Sequence, residues 1–275
     1  MLPTKVLNVA CACTILAKWI YILIQNTRES LIIFSVGLYQ DGRMKKLDCF
    51  AVHVVQVRMA PILITLDGNI GAGKSTLLEA LKALPFVTVI PEPVGTWLML
   101  RNEDGESLLS LFYKDTARWA YTFQNCAILT RLLETNKILK QCESGEITTP
   151  IIITERSVLT DRFVFAEMLY KQGRLSKLEW DLYNMWFDSF AKDLPYGGII
   201  HLATSAQTSA ERIKRRGRKG EDIPIDYLQS LEAQHTQWIG NSALPTFTVS
   251  TEYNSINSAV STIGEWLKRT YMDKN

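Results

Sequence analysis

Residues 62–76 read ILITLDGNIGAGKST, and this stretch decides the fold. Ile62 to Leu66 is a short apolar run that suits a strand buried in a parallel sheet. Gly68 to Ser75 then match G-x-x-x-x-G-K-[ST] in full, where a strand hands over to a helix. The chemistry needs each part. Glycines let backbone N–H groups converge on phosphate oxygens, and the N-terminus of the next helix adds favourable dipole charge. Lys74 can neutralise the β and γ oxygens of a nucleoside triphosphate, and Ser75 can ligate Mg²⁺. The expected phosphate set is Gly68, Asn69, Ile70, Gly71, Ala72, Gly73, Lys74, Ser75 and Thr76. An ordinary glycine turn is the bland alternative, and the strand–loop–helix context argues against it.

Outward from this loop the punctuation is regular. A helix is expected over about 74–83, a strand over 87–90 closed by Pro91 and Pro93, and a long helix over about 115–142. A strand over 151–154 leads to helices over roughly 158–171 and 176–191. A strand over 198–202, a basic helix over 209–216, a polar loop over 217–222 and a helix over about 226–239 follow. A last strand over 247–249 precedes a closing helix over 255–271. Strands alternating with helices imply an α/β fold: a parallel five-stranded sheet with helices on both faces.

The bulk numbers narrow the function. The chain has 275 residues, 47% of them hydrophobic, enough for a sizeable core. A net charge of +2, with signs mixed along the chain, gives no field that would gather a nucleic acid polymer. Five cysteines (Cys11, Cys13, Cys49, Cys126, Cys142), odd in number and without a CxxC pair, read as reduced thiols. The three histidines stand far apart in sequence and suggest neither a zinc site nor a triad.

Residues 1–58 read as an extension of unknown role outside the catalytic region, which is taken as 59–275. Val6 to Ile24 is mostly apolar, but Lys18 interrupts it, so neither a spanning helix nor a signal peptide fits well. Glu29, Asp41 and Asp48 do not suit an acid-poor mitochondrial presequence. Met59, just before the first convincing strand, is consistent with an upstream start. The expected compartment is the cytoplasm, with the mitochondrion as second choice, and no firm membrane association is expected.

The acceptor must be read elsewhere. Ligands of parallel sheets gather beyond the carboxyl ends of the strands, and Glu92 follows the second strand there. A carboxylate facing the phosphate loop can take the proton of a hydroxyl acceptor, and Trp97 can wall the cavity. A surface carboxylate before a turn is the bland alternative. Three more segments add to this: Tyr113 with Phe123-Gln124 and Arg131; Glu155-Arg156-Ser157 with Asp161-Arg162; and Arg212, Arg216-Gly217-Arg218 and Glu221.

With these segments on the page, the sequence resembles the deoxynucleoside kinases, and among them the deoxycytidine/deoxyguanosine kinase group, from about Ile62 to Trp238. The resemblance implies a P-loop kinase fold with an arginine-rich lid, and transfer of the γ-phosphoryl of ATP, with Mg²⁺, to the 5′-hydroxyl of a deoxynucleoside. It makes Glu92 the general base and Arg156 the contact to the acceptor oxygen and moving phosphate. Lys74 acts with them, and Glu155 joins Ser75 at the metal. Gln124 would read the base edge, with Phe123, Trp97 and Phe165 packing the ring. Tyr113 and Glu221 would hold the sugar 3′-hydroxyl, and Arg212, Arg216 and Arg218 would close on the phosphates. Arg131 and Asp161 match the positions that pair near the base and crowd out thymine's methyl, so deoxycytidine and purine deoxynucleosides are expected over thymidine, and Ala127 fits that pocket. A homodimer is implied by the resemblance alone.

The pattern is departed from in three places: Asp67 stands where the family usually has Glu, the segment between Arg218 and Ile223 is one residue short, and residues 1–58 have no counterpart. Two other readings stay open on the residues: a thymidylate-type monophosphate kinase, whose anionic acceptor needs no base, and a non-catalytic accessory subunit with the same fold. Trp119 reads as core packing, and Arg212 and Arg216, four apart, as one side of a helix.

Overall fold

Turn-bounded apolar runs become the strands of one parallel sheet, and the amphipathic stretches between them cover it. The computed structural model describes residues 30–35, 52–57, 60–218, 221–252 and 254–273. The chain divides into two units between Ala60 and Pro61. In the first, strands β1 (Ser30–Ser35) and β2 (Val52–Val57) pair antiparallel, with Ser30 opposite Val57 and Ser35 opposite Val52. The apolar stretch from Val6 to Ile24, and Met59, lie outside the described residues.

The second unit runs in chain order through β3 (Ile62–Gly68), α1 (Lys74–Leu81), β4 (Val87–Ile90), α2 (Val94–Met99), α3 (Leu108–Lys114) and α4 (Thr116–Ser144). It continues with β5 (Ile151–Glu155), α5 (Val158–Thr160), a π-helical turn (Asp161–Ala166), α6 (Glu167–Lys171) and α7 (Lys177–Phe190). Then come β6 (Tyr196–Ala203), α8 (Ala206–Arg216), α9 (Ile225–Asn241), β7 (Thr246–Ser250) and α10 (Ile256–Leu267), with a second π-helical turn over Lys268–Met272.

The sheet order is β4-β5-β3-β6-β7, and every pairing is parallel. Alternation along the strands divides the core. Ile64, Leu66, Ile153 and Ile200 pack in one cluster with Leu77, Leu81, Ile263 and Leu267 of α1 and α10. Leu63 and Ile152 pack in another with Cys142 of α4. Each such aliphatic side chain contributes about 1.5–3 kcal/mol on leaving water.

Register positions the site. Leu66 lies opposite Glu155 and Ile90 opposite Thr154. The residues after β3, β4 and β5 therefore emerge at one edge: the phosphate loop, Glu92 and Arg156. A single helix over 158–171 gives way to α5, the π-helical turn and α6, because Asp161 is drawn into a buried bond with Arg131. α8 begins at Ala206, three residues earlier than expected, where the Ser205 hydroxyl accepts from Thr208 N–H as an N-cap. Short helices α2 and α3 were not foreseen. Among the described residues no helix is long and apolar enough to cross a membrane.

Candidate active site

The phosphate loop folds as its glycines require. Gly68 and Gly71 have φ of 146° and 81°, and a Cβ on either would lie 2.6 Å from a backbone oxygen, of Leu202 and Ser209 respectively. No other residue fits both backbone and space there. Asn69 staples the loop: its Oδ1 accepts from Ile70 N–H at 2.9 Å and its Nδ2 donates to the Leu228 carbonyl of α9 at 2.9 Å. Lys74 is buried and curls back, donating to the Gly68 and Asn69 carbonyls at 3.1 and 2.8 Å. Burial and the Arg156 guanidinium lower its ammonium to about 7, against the pull of Glu155, Glu92 and Asp67. Ser75 Oγ donates to Glu155 Oε1 at 2.9 Å, so the two expected metal residues touch.

Across from the loop, Glu92 Oε1 accepts from Arg131 Nη2 at 2.6 Å and Arg156 Nη1 at 2.7 Å. Burial pushes the Glu92 carboxyl up, but Arg156 and Arg131 more than offset it and hold the group well below the usual carboxylate range. Arg131 is a hub. Besides Glu92 it donates through Nε to Asp161 at 3.0 Å and through Nη1 to the Glu155 carbonyl at 2.7 Å. Burial raises the Asp161 carboxyl to about 6, with Arg131 opposing. Arg156 has φ of 57°, a left-handed conformation that is costly for a side chain with a Cβ. Its N–H donates to Leu66 O at 3.0 Å, and its guanidinium lies 5.0 Å from the Phe165 ring centre.

Between these groups lies a cleft of about 660 Å³. It is lined by Lys74, Ser75 and Thr76 on the loop side and by Glu92, Arg156, Arg131 and Asp161 on the facing side. Trp97, Phe123 and Phe165 form an aromatic wall. Trp97 meets Phe123 edge-on at 5.2 Å and donates its indole N–H to Thr130 Oγ1 at 3.0 Å. Gln124 is 1% exposed and faces this wall, and its Oε1 has no hydrogen-bond partner among the described residues. Tyr113 and Glu221 both line the cleft. Burial, then Tyr227 and Glu221, push the Tyr113 hydroxyl well above its usual value.

The basic helix α8 ends at the cleft. Arg212 donates to Ala72 O at 2.9 Å and to Thr251 Oγ1 at 2.8 Å, so it braces the phosphate loop from behind. Arg216 and Arg218 both ion-pair with Glu221, the latter at 3.3 Å. Among the described residues no three His, Cys, Asp or Glu side chains converge as a metal site.

A phosphate loop facing a carboxylate across an aromatic-walled cleft of this size is the layout of a small-molecule kinase. The family model that matches residues 64–267 is described as deoxynucleoside kinase. This chain belongs to the deoxynucleoside kinases.

Relatives agree with the match. The chain is 36% identical to deoxycytidine kinase 2 of Gallus gallus over 194 residues, covering 64% of this chain and 73% of that protein. It is 36% identical to deoxycytidine kinase of Homo sapiens over 205 residues, covering 66% and 77%. It is 32% identical to mitochondrial thymidine kinase 2 of Macaca fascicularis over 185 residues, covering 66% of each. A deoxynucleoside kinase is a phosphotransferase, and kinases of this family use ATP with a divalent metal. The readings as a monophosphate kinase or a non-catalytic subunit are set aside.

In this deoxynucleoside kinase the residues expected from the sequence line the cleft, except Gly68, Asn69 and Ala72, which belong to the phosphate loop but not to the cleft wall. Other participants were missed. Arg215 also lines the cleft, and Phe112 stacks on Phe123 at 4.6 Å. Buried Asp67 accepts from the Thr65 and Thr160 hydroxyls, the latter at 2.6 Å, and so ties β3 to the turn that carries Arg156. The spacing S-x-x-T over Ser157–Thr160 signalled that turn's cap, but nothing local signalled Asp67 as its partner. Trp119 is half-buried and packs against the core, with the Arg118 guanidinium over its ring at 4.5 Å.

Proposed function

We propose that this deoxynucleoside kinase phosphorylates the 5′-hydroxyl of deoxycytidine, with purine deoxynucleosides as further substrates and thymidine as a poor one. The observation that carries the reading is the buried Arg131–Asp161 pair beside Gln124, whose Oε1 is a free acceptor. An amide can accept from an exocyclic amino group and donate to the adjacent ring nitrogen, a pattern that cytosine and adenine offer and thymine does not. The Arg131 and Asp161 side chains line the same cleft, and a pyrimidine seated on Gln124 would turn thymine's methyl toward them. A mismatched base would leave buried polar groups unpaired, a costly outcome.

The residues divide the chemistry. Glu92 orients the 5′-hydroxyl and accepts its proton. Held between two arginines it is a weak base, which suits a loose transition state in which the proton leaves late. Arg156 spans Glu92 and the loop, in reach of both acceptor oxygen and moving phosphate. Lys74, Arg212, Arg215, Arg216 and Arg218 supply positive charge around the triphosphate. Tyr113 and Glu221 flank the sugar end, and Glu221 hands its arginines to the phosphates as the lid closes. Ser75 and Glu155 are hard oxygen donors that fit Mg²⁺, which when bound neutralises charge on the β and γ oxygens.

A homodimer is supported by an exposed apolar face: Leu129 and Leu133 of α4, with Leu182, Met185 and Trp186 of α7, which packs beside it. The acidic residues of the N-terminal segment favour the cytoplasm over the mitochondrion, testable by cell fractionation. The deciding experiment is a phosphorylation screen of the four deoxynucleosides with ATP and Mg²⁺. Deoxycytidine should give the highest kcat/KM and thymidine the lowest, and thymidine as best substrate would refute the reading.

A further inference from the structure

Arg156 also borders a second, very small cavity of about 10 Å³, whose lining includes Thr154 of β5, Tyr196 of β6, Thr135 and Glu134 of α4 and the prolines after β4. Three buried polar atoms of these residues make no well-formed hydrogen bond among the described residues, Arg156 Nε, Thr154 Oγ1 and Tyr196 Oη, although the Tyr196 hydroxyl lies near the Thr154 and Thr135 side chains. One such orphan is uncommon in a folded protein, because a buried polar group without a partner is costly. Three of them around one void are explained together. The void has the volume that a single water needs, and buried waters typically make about three hydrogen bonds.

We infer that one buried water bridges Arg156 Nε to the Tyr196 and Thr154 hydroxyls, and that Tyr196 is thereby a positioning residue for Arg156. The inference rests on the proposed contact of Arg156 with the acceptor oxygen and the moving phosphate. The bonding balances: Arg156 Nε–H donates to the water oxygen, and the two water protons go to the two hydroxyl oxygens. The guanidinium otherwise has one short anchor, Nη1 to Glu92 at 2.7 Å, and one long one, Nη2 to Gly68 O at 3.4 Å. Glu92 is also the group that takes the proton, and so loses its charge, in the proposed reaction. An anchor on Nε, independent of Glu92, keeps the guanidinium plane fixed while that happens. Tyr196 never reaches the substrate cleft; it is absent from its walls.

The test joins a high-resolution crystal structure to kinetics. The crystal should show an ordered water about 2.7–3.2 Å from Arg156 Nε, Tyr196 Oη and Thr154 Oγ1. Tyr196→Phe keeps the ring and removes one partner. It should lower kcat roughly tenfold, with KM for deoxynucleoside and ATP within about twofold of the parent. Thr154→Val should act in the same direction, and the double variant should be little worse than either alone, because both changes release the same water. A packing role for Tyr196 would instead leave Tyr196→Phe with parental kcat and the two effects additive. That result, or a crystal with Arg156 Nε bonded directly to protein or with Tyr196 Oη bonded directly to Thr154 Oγ1 and no ordered water in the void, overturns the inference. Arg156→Lys tests the reading beneath it. Activity kept in that variant would refute the catalytic contact, whereas its loss with Tyr196→Phe unaffected would refute only the water-mediated positioning.

Discussion

Replacing Glu92 by glutamine keeps the size of the side chain and removes its charge. The Glu92 side chain is 12% exposed and sits between guanidinium nitrogens at 2.6 and 2.7 Å. Taking one partner from a buried ion pair typically costs about 3–5 kcal/mol. Gln keeps one acceptor oxygen, and Arg131 keeps Asp161, so the lower end of that range is expected for stability. The pH dependence gives a second readout. The Glu92 carboxyl is depressed in the folded protein from an ordinary value of 4.5. Its stabilisation is present above about pH 4.5 and is lost as pH falls toward the folded-state value. The gap in stability between parent and Glu92→Gln should be flat near neutrality and shrink only below that point. Loss of a general base should lower kcat by about 10²–10⁴-fold. ADP release with deoxycytidine, measured beside denaturant melts of both proteins, checks both parts. If the variant keeps kcat within threefold of the parent while its melt shifts as expected, Glu92 is a structural anion and the catalytic reasoning fails.

Other consequences are as direct. Lys74, lowered to about 7 in its buried loop, should take up a proton when the anionic donor arrives, so ATP binding at pH 7–8 should show net proton uptake that vanishes in Lys74→Met; calorimetry in buffers of different ionisation enthalpy reads this, and proton release would contradict it. Asp161, raised to about 6 from 3.8, favours the fold most when protonated, so its contribution is full below about pH 4 and is lost as pH rises through 6; comparing parent with Asp161→Asn over pH 4–7 should show the parent losing stability relative to the variant across that window. Its charge on Arg131 is conversely lost on acidification, so KM for deoxycytidine should rise below pH 6 in the parent and stay flat in Asp161→Asn. Gly71→Ala should lower stability by about 1–3 kcal/mol by thermal melt, because its Cβ would meet the Ser209 carbonyl at 2.6 Å on a backbone with φ of 81°.

Legibility in the sequence followed locality. The strands at Ile62, Val87 and Ile151 and the loop after Leu66 could be read because the apolar runs and the glycine motif carry their own physics. Glu92, Gln124 and Arg156 were readable as a set only through family resemblance. α2 and α3 hid because each is six or seven residues long, too short for its period to show. The Arg131 bond to Glu92 joins residues 39 apart, and the Thr160 bond to Asp67 joins residues 93 apart. Such pairings are decided by strand order and register, which one sequence does not display. The break of the 158–171 helix has the same origin, since the demand for it comes from Arg131 on another helix.

That break has an evolutionary corollary. A π-turn houses one residue more than an α-turn over nearly the same rise. Deleting any one position within Asp161–Ala166 would let the segment relax into regular helix and keep the chain continuous. The flanking turns would keep their places, but residues inside the turn on one side of the cut would rotate by about 100°. Asp161 would be carried off Arg131, or Phe165 off the Arg156 guanidinium. Substitutions in this turn can retune the enzyme gradually, whereas a one-codon loss would dismantle the pocket at a stroke.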